Sequence, residues 1–427
     1  MKYIILFLFS MKVFGQDYKV ISVGKARKAL HKWHFSLSAC EKTSQAKKDV
    51  FIKAFNVLKE DFSTYAHKIL VSESKQNKSL NSKSSIKKYF SENYFYLVEV
   101  DCQKSSIIAL EMANQAKVFD QSLTGTRSVT RSLLHQIAAS IYKRAYNEKS
   151  VFQEKIAFAA SARSSLSKTQ KELYVMDFDG KNPQKLTNHG GVVLSPAFSP
   201  DNSRVLYSVI QGGGVKLYEI DLRTRQKRLI SGKKGINSGA VYTPDGKGVY
   251  LTLSFSGNAD IYYMDLGSKS LRKVTGHFGV DVDPSIDKTG KLMSFLSSRS
   301  GQAMIYTLDP SGTEKGIKRV SFVGKFNATP RFSPSRKEIV FASWVNNTFD
   351  LFRIYPNGQS LVRLTSNFGS NEDPSYSPDG EFIAFSSKRV ITRKKIDQNI
   401  YIMSRNGENV RKISTSLGHC SAPRFTN

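Results

Sequence analysis

The chain has 427 residues, 40% of them hydrophobic and 11% aromatic, enough to bury two cores and too apolar for a disordered chain. Its formal net charge is +29, carried by both halves rather than by one tail. No basic stripe interleaves with stacking aromatics, which argues against a nucleic-acid binder. The charge leaves two readings, a solvated surface that maintains solubility or attraction to the anionic polymers of a cell envelope.

In chain order, residues 1–15 place Lys2 before an apolar run from Tyr3 to Phe9, with Val13 and Gly15 as small residues near a cleavage point. This predicts a short secretory signal; a membrane anchor, the alternative, needs roughly 18 apolar residues. No cysteine stands nearby for lipid attachment, and no later stretch is long and apolar enough to cross a bilayer. The expectation is an exported protein, soluble once processed.

Residues 16–150 carry no repeat and read as a mixed α/β domain. Tyr18 to Val23, His31 to Ser38 and His67 to Val71 predict strands, and Gln45 to Lys59 predicts a helix with Val50, Ala54, Phe55, Val57 and Leu58 on one face. Asn77 to Ser85, rich in Lys, Ser and Asn, reads as a loop. Tyr94 to Cys102 and Ser106 to Met112 predict a hairpin, Ala116 to Leu123 a further strand, and Val129 to Tyr146 an amphipathic helix. The arrangement implied is a small sheet covered on one face by helices, ending near Val151-Phe152.

Residues 151–427 repeat. The unit is clearest at Asp373 to Phe385, DPSYSPDGEFIAF, where Ser377-Pro378-Asp379-Gly380 predicts a type I turn between two strands. Weaker copies begin at Ser195, Ala240, Asp283 and Thr329, the third with Lys288 in place of the turn proline. Pro200, Pro244, Pro334 and Pro378 stand at one or two multiples of about 44 residues, a spacing suited to four-stranded propeller blades. Between copies, strands ending in Asp or a turn recur from Glu172, Lys216, Asp260, Met304, Asp350 and Asn399, which predicts six blades. The first unit opens at Lys155-Ile156-Ala157-Phe158 without an inner strand, and Ala422-Pro423-Arg424-Phe425 at the C-terminus supplies the missing element. The fold class predicted is therefore mainly β, a six-bladed β-propeller closed by the C-terminal strand and preceded by a small α/β domain.

The three cysteines, Cys40, Cys102 and Cys420, form no zinc or redox spacing. Free buried thiols are the default, with pairing of Cys40 and Cys102 open in an oxidising compartment. His189 and His277 each stand 11 positions before a turn-proline position, and His419 lies in the corresponding last loop. Three readings stay open for them: polar loop residues, a shared metal, or a protein-binding face. The same loops carry Asp281, Asp283, Asn327, Asn371, Glu372 and Asp373, an acidic and amide-rich set in a basic protein. It reads equally as electrostatic complementarity to a partner or as turn chemistry, and an exposed site would tolerate charge reversal at Asp281 and Asp283 within about 1 kcal/mol. No G-x-S-x-G elbow, P-loop or dinucleotide glycine pattern occurs, and Gly212-Gly213-Gly214 reads as a loose turn.

The helix through Tyr142-Lys143-Arg144-Ala145-Tyr146 leading into Phe152-Gln153-Glu154-Lys155-Ile156-Ala157-Phe158, followed by six S-P-x-F-S-P-D and L-Y-x-x-D-x units, resembles the TolB family, the periplasmic component of the Tol-Pal system. The likeness covers nearly the whole mature chain; the sequence departs from the family at Glu99 and Asp101 and in its basicity. The resemblance implies a periplasmic, non-enzymatic binding protein. It would dock the peptidoglycan-associated lipoprotein on one propeller face, communicate with TolA, and serve outer-membrane integrity and envelope constriction at cell division. The segment after the signal, here about Gln16 to Lys25, is the family's switch between TolA and the propeller. No catalytic residue, metal or cofactor is expected, a monomer is expected, and contact with an outer-membrane or peptidoglycan surface stays open. The alternative class is a secreted propeller enzyme, a lyase or peptidase relative.

Overall fold

The computed structural model describes residues 10–13, 16–19, 30–41, 43–76, 83–123, 129–161, 170–335, 337–392, 395–414 and 417–427. The predicted signal and switch segments fall mostly outside them; what is described there is a hairpin of β1 (Ser10–Val13) and β2 (Gln16–Lys19).

The N-terminal unit is a five-stranded sheet. Its elements are β3 (His31–Ser38), α1 (Gln45–Thr64), β4 (Ile69–Gln76), α2 (Lys83–Ser91), β5 (Tyr96–Asp101), β6 (Ser106–Glu111), β7 (Ala116–Ser122) and α3 (Arg131–Tyr146). The strand order is β4-β3-β5-β6-β7, with β3 parallel to both neighbours and the β5-β6-β7 meander antiparallel. Phe51, Ala54, Phe55, Leu58 and Phe62 recur along α1 at helical spacing and pack with Trp33 and Phe35. Thr130 caps α3 by accepting the Leu133 N–H at 3.2 Å, and Asn147 ends it in the left-handed region at φ 54°.

Two expectations need correction here. Residues 83–85, read as loop, begin α2, whose Ile86 and Tyr89 pack with Leu97, Ile108 and Leu110. These side chains form a cluster separate from the core beneath α1 and α3, so helices cover both faces of the sheet rather than one. Glu99 and Asp101, which interrupt the apolar pattern of β5, are buried and satisfied. Ser38 donates to Glu99 Oε1 at 2.7 Å, and the Lys104 N–H donates to Asp101 Oδ1 at 2.9 Å. Cys40 and Cys102 form a disulfide, the outcome the sequence left open, while Cys420 is free and buried.

Six four-stranded antiparallel sheets follow, ordered inner to outer as the strands occur in sequence for blades 2 to 6. Their inner strands are Val192–Phe198, Asn237–Tyr242, Asp281–Ile286, Asn327–Phe332 and Ser370–Tyr376. Blade 1 takes its inner strand, Cys420–Phe425, from the far end of the sequence, pairing Ser421 with Ala159 and Phe425 with Ile156. Phe425 shares one core with Phe158, and the Lys155–Ala160 strand is left with no unpaired inner edge.

The inner-to-second-strand turns lie on one face of the ring, here the turn face. In the clearest copy the Gly380 N–H donates to the Ser377 carbonyl at 2.8 Å, and Ser377 Oγ and the Glu381 N–H both donate to Asp379 Oδ1. Gly380 has φ +70°, and a Cβ there would lie 2.0 Å from Ser335 Oγ, which fixes the glycine. Where Lys288 replaces proline the turn persists, because the Gly290 N–H still reaches the Asp287 carbonyl at 3.0 Å and Thr289 donates to Asp287 Oδ2 at 2.6 Å.

The N-terminal unit sits on the turns of blades 6 and 1. Tyr65 donates to Asp379 Oδ2 at 2.5 Å and accepts the Val151 N–H at 2.9 Å. His67 and Lys68 meet Glu381, Arg131 pairs with Asp179, and Lys181 pairs with Glu60. Phe62, Tyr142, Phe152, Phe178, Phe382 and Phe425 belong to one continuous apolar cluster across that junction.

Candidate functional site

Opposite the turn face, the connections from each outer strand to the next inner strand form a loop face. Two polar devices recur in these connections, a hydroxyl at the start of five and a buried amide or carboxylate at the end of four. The hydroxyl accepts a backbone N–H from the third strand: Thr187 from Leu173, Thr275 from Ile261, Ser321 from Ile305, Thr365 from Leu351 and Ser414 from Ile400, at 2.8 to 2.9 Å. The amide or carboxylate is buried inside the loop. Asn237 donates to the Lys233 and Val215 carbonyls at 2.7 and 2.8 Å, and Asn327 donates to the Val323 carbonyl at 2.7 Å. Asn371 reaches Thr365 Oγ1 at 3.2 Å, and Asp281 accepts from Arg299 at 3.0 Å.

This divides the predicted site residues. Asp281, Asn327 and Asn371 are fully buried and shape the loops from within, so the expectation that Asp281 tolerates charge reversal as an exposed residue is corrected. Burial pushes the Asp281 carboxyl above the usual range, against the pull of Ser297 and Arg299. Asn237 has the same role and escaped the sequence reading, although it precedes Asp281 by one repeat. Of the histidines, His189 is half-buried and bonds the Tyr207 hydroxyl at 3.1 Å, with burial and then Lys227 holding its pKa down. His277 accepts the Gly279 N–H at 2.9 Å and packs against Phe278 with the rings tilted by 34°, and the His419 N–H donates to Ser161 Oγ at 2.9 Å. Among the described residues no group of three or more His, Cys, Asp or Glu is arranged to hold a metal.

What the loop face exposes instead is aromatic and aliphatic. Phe278 is 87% exposed, and Phe322, Phe326, Phe255, Val280 and Ile236 are each more than a third exposed. All lie in the connections or hairpins on that face between blades 2 and 5. Arg319 stacks over Phe322 at 4.4 Å and Lys233 over Phe255 at 4.8 Å, so cations frame the apolar arc. The signal was present in the sequence as a phenylalanine recurring in successive connections, at Phe278, Phe322 and Phe368. Phe368 alone folds inward, beneath the Arg389 guanidinium at 3.7 Å.

Asp283, Glu372 and Asp373 belong to the central channel. Every inner strand carries a bulge with a residue in the left-handed region: Ser195, Gly239, Asp283, Thr329, Asp373 and Ala422, at φ 48° to 61°. Asp373 Oδ2 accepts from Ser386 Oγ at 3.2 Å and from the Ala422 N–H at 3.1 Å. Lys171 reaches Ser421 Oγ at 2.7 Å and Gln398 Oε1 at 3.1 Å beside this acidic group. Burial raises the Glu372 carboxyl, helped by Asp373, while for Asp283 burial raises and Arg331 lowers. Two residues further along the inner strands, toward the turn face, stand Arg331 and Arg424. The channel is thus acidic toward the loop face and basic toward the turn face.

A family model described as the TolB beta propeller domain matches residues 142–427. The Tol-Pal system protein TolB of Ruegeria sp. is 38% identical over 91 residues, 21% of this chain and 20% of that protein. The TolB homolog of Chlorobium chlorochromatii is 34% identical over 103 residues, 24% of this chain and 22% of that protein. The matched segments therefore span about a fifth of the length of these curated relatives. The crystal structure of TolB from Acinetobacter baumannii superposes with a TM-score of 0.77 over 94% of this chain and 98% of that one, at 21% identity, a likeness of fold.

Proposed function

The chain belongs to the TolB beta propeller family, and from that premise we propose that it is a non-enzymatic docking protein of the Tol-Pal system, working in the periplasm. On this reading residues 1–15 are an export signal, residues 16–150 and 151–427 are the two domains, and the segment from Gln16 to Lys25 reaches TolA. The loop face receives the peptidoglycan-associated lipoprotein, and the pairing serves outer-membrane integrity and envelope constriction at cell division.

The observation that carries the reading is the exposed aromatic arc around Phe278 and Phe322, which is set on rigid, internally bonded loops. Aromatic side chains presented on a preformed surface are the usual anchors of a protein interface. The Cys40–Cys102 disulfide supports an oxidising compartment. His277, half-buried against Phe278, is the predicted site residue best placed to touch the partner; Asp281, Asn327 and Asn371 act on it only through loop shape.

The test is a calorimetric titration of the mature protein with the soluble domain of the lipoprotein. Phe278→Glu and Phe322→Glu should each weaken binding at least tenfold while leaving the melting temperature unchanged. Full affinity in both variants would remove the loop face from the interface.

A further inference from the structure

At the turn-face end of the channel the inner strands enclose a cavity of about 330 Å³. Phe198, Tyr242, Phe332 and Phe425 contribute to its wall, together with two guanidinium groups, Arg331 from blade 5 and Arg424 from blade 1. Arg331 is 8% exposed; its Nη1 donates to the Pro330 carbonyl at 2.6 Å, and its Nε has no hydrogen-bond partner. Arg424 Nε donates to the Pro196 carbonyl at 3.2 Å. Burial lowers the pKa of both, and for Arg424 the neighbouring charge of Arg331 adds to the effect.

Asp283 and Asp373 attract both guanidinium groups from deeper in the channel, but neither forms part of this wall. Asp287 does line it, but its carboxylate is committed to its own turn through Thr289 and the Lys291 and Leu292 N–H groups, at 2.6 to 3.0 Å. Lys288 adds a further cation to the wall.

A pair of buried cations, one with an unsatisfied donor, facing an apolar chamber is complementary to one ligand chemistry. The planar guanidinium fork matches a carboxylate, the aromatic wall matches an apolar body, and the volume is at the small end of ligand pockets, about 300 to 1,000 Å³. We infer that the turn-face mouth of the channel binds a small organic carboxylate, held at its charge by Arg331 and Arg424. The site is at the opposite end of the channel from the loop face, so it stands or falls independently of the lipoprotein reading.

The experiment titrates the mature protein with benzoate, benzamide and inorganic phosphate by calorimetry. Benzoate should bind, benzamide should bind at least tenfold more weakly because it lacks the charge, and phosphate should give no heat because it lacks the apolar body. Arg331→Met should weaken benzoate at least tenfold. Because that variant strips a buried charge and risks misfolding, Val241→Trp is the second arm: it fills the cavity wall and keeps both arginines, and it should abolish binding. Absence of benzoate binding to the unaltered protein, equal binding of benzamide or phosphate, or unchanged benzoate affinity in folded Val241→Trp would each overturn the assignment.

Discussion

Removal of Ser421 to Asn427 is the sharpest test of how the ring is held. The deletion takes Phe425, which is 1% exposed, from a core shared with Ile156, Phe158 and Phe382; loss of a buried phenylalanine side chain alone costs about 3 to 5 kcal/mol. It also removes the bonds from the Thr426 N–H to the Lys155 carbonyl at 3.0 Å, from the Phe425 N–H to Ser375 Oγ at 3.1 Å, and from Asn427 Nδ2 to the Phe198 carbonyl at 2.9 Å. Each is worth about 1 kcal/mol net. The sum approaches the whole stability of a typical protein, about 5 to 15 kcal/mol. In urea unfolding followed by circular dichroism, the truncated chain should unfold at far lower denaturant than the full chain, or fail to fold. The single substitution Phe425→Ala should fall between the two. A truncated protein with an unchanged midpoint would refute the argument that the tail closes the ring.

Two further outcomes follow from buried carboxylates. Asp281→Lys places a second cation beside Arg299 in a fully buried site and should cost about 3 to 5 kcal/mol, read as a drop in melting temperature; a stable variant would show that the loop opens to solvent. Asp61, bonded to His135 Nδ1 at 2.8 Å and near Asp179 and Arg131, has its pKa raised to about 6, chiefly by burial. An acid with a raised native pKa contributes stability that is fully present below its unfolded value, about 3.9, and is lost as pH rises through about 6. Asp61→Asn should therefore flatten the fall of melting temperature between those two pH values; an unaltered slope would assign it to another group.

The propeller was legible because its turn chemistry repeats. The Ser377–Asp379 bond recurs as Ser199–Asp201 and Thr243–Asp245, and the period survives the loss of one proline at Lys288. Closure was legible for the same reason, since a missing inner strand at Lys155 and a surplus one at Ala422 define each other. The short helix Lys83–Ser91 was hidden because only Ile86 and Tyr89 mark its buried side in a Lys/Ser-rich stretch, and tertiary packing rather than pattern decides such segments. The amide and acid residues of the loops misled in the other direction. Polar types before a strand read as surface, yet Asn327 and Asn371 are interior because irregular loops must satisfy their own carbonyls. Phe278 was overlooked because an aromatic is expected inside.

The N-terminal sheet rests on blades 6 and 1, the two blades that flank the joint where Cys420–Phe425 completes the ring, and Phe425 is packed into the same cluster as Phe62 and Tyr142. Releasing the sheet therefore uncovers the joint, and loosening the joint undercuts the sheet's seat. The two units have no reason to melt separately: differential scanning calorimetry should record a single endotherm, and mechanical load applied at either end of the chain should meet one barrier rather than two.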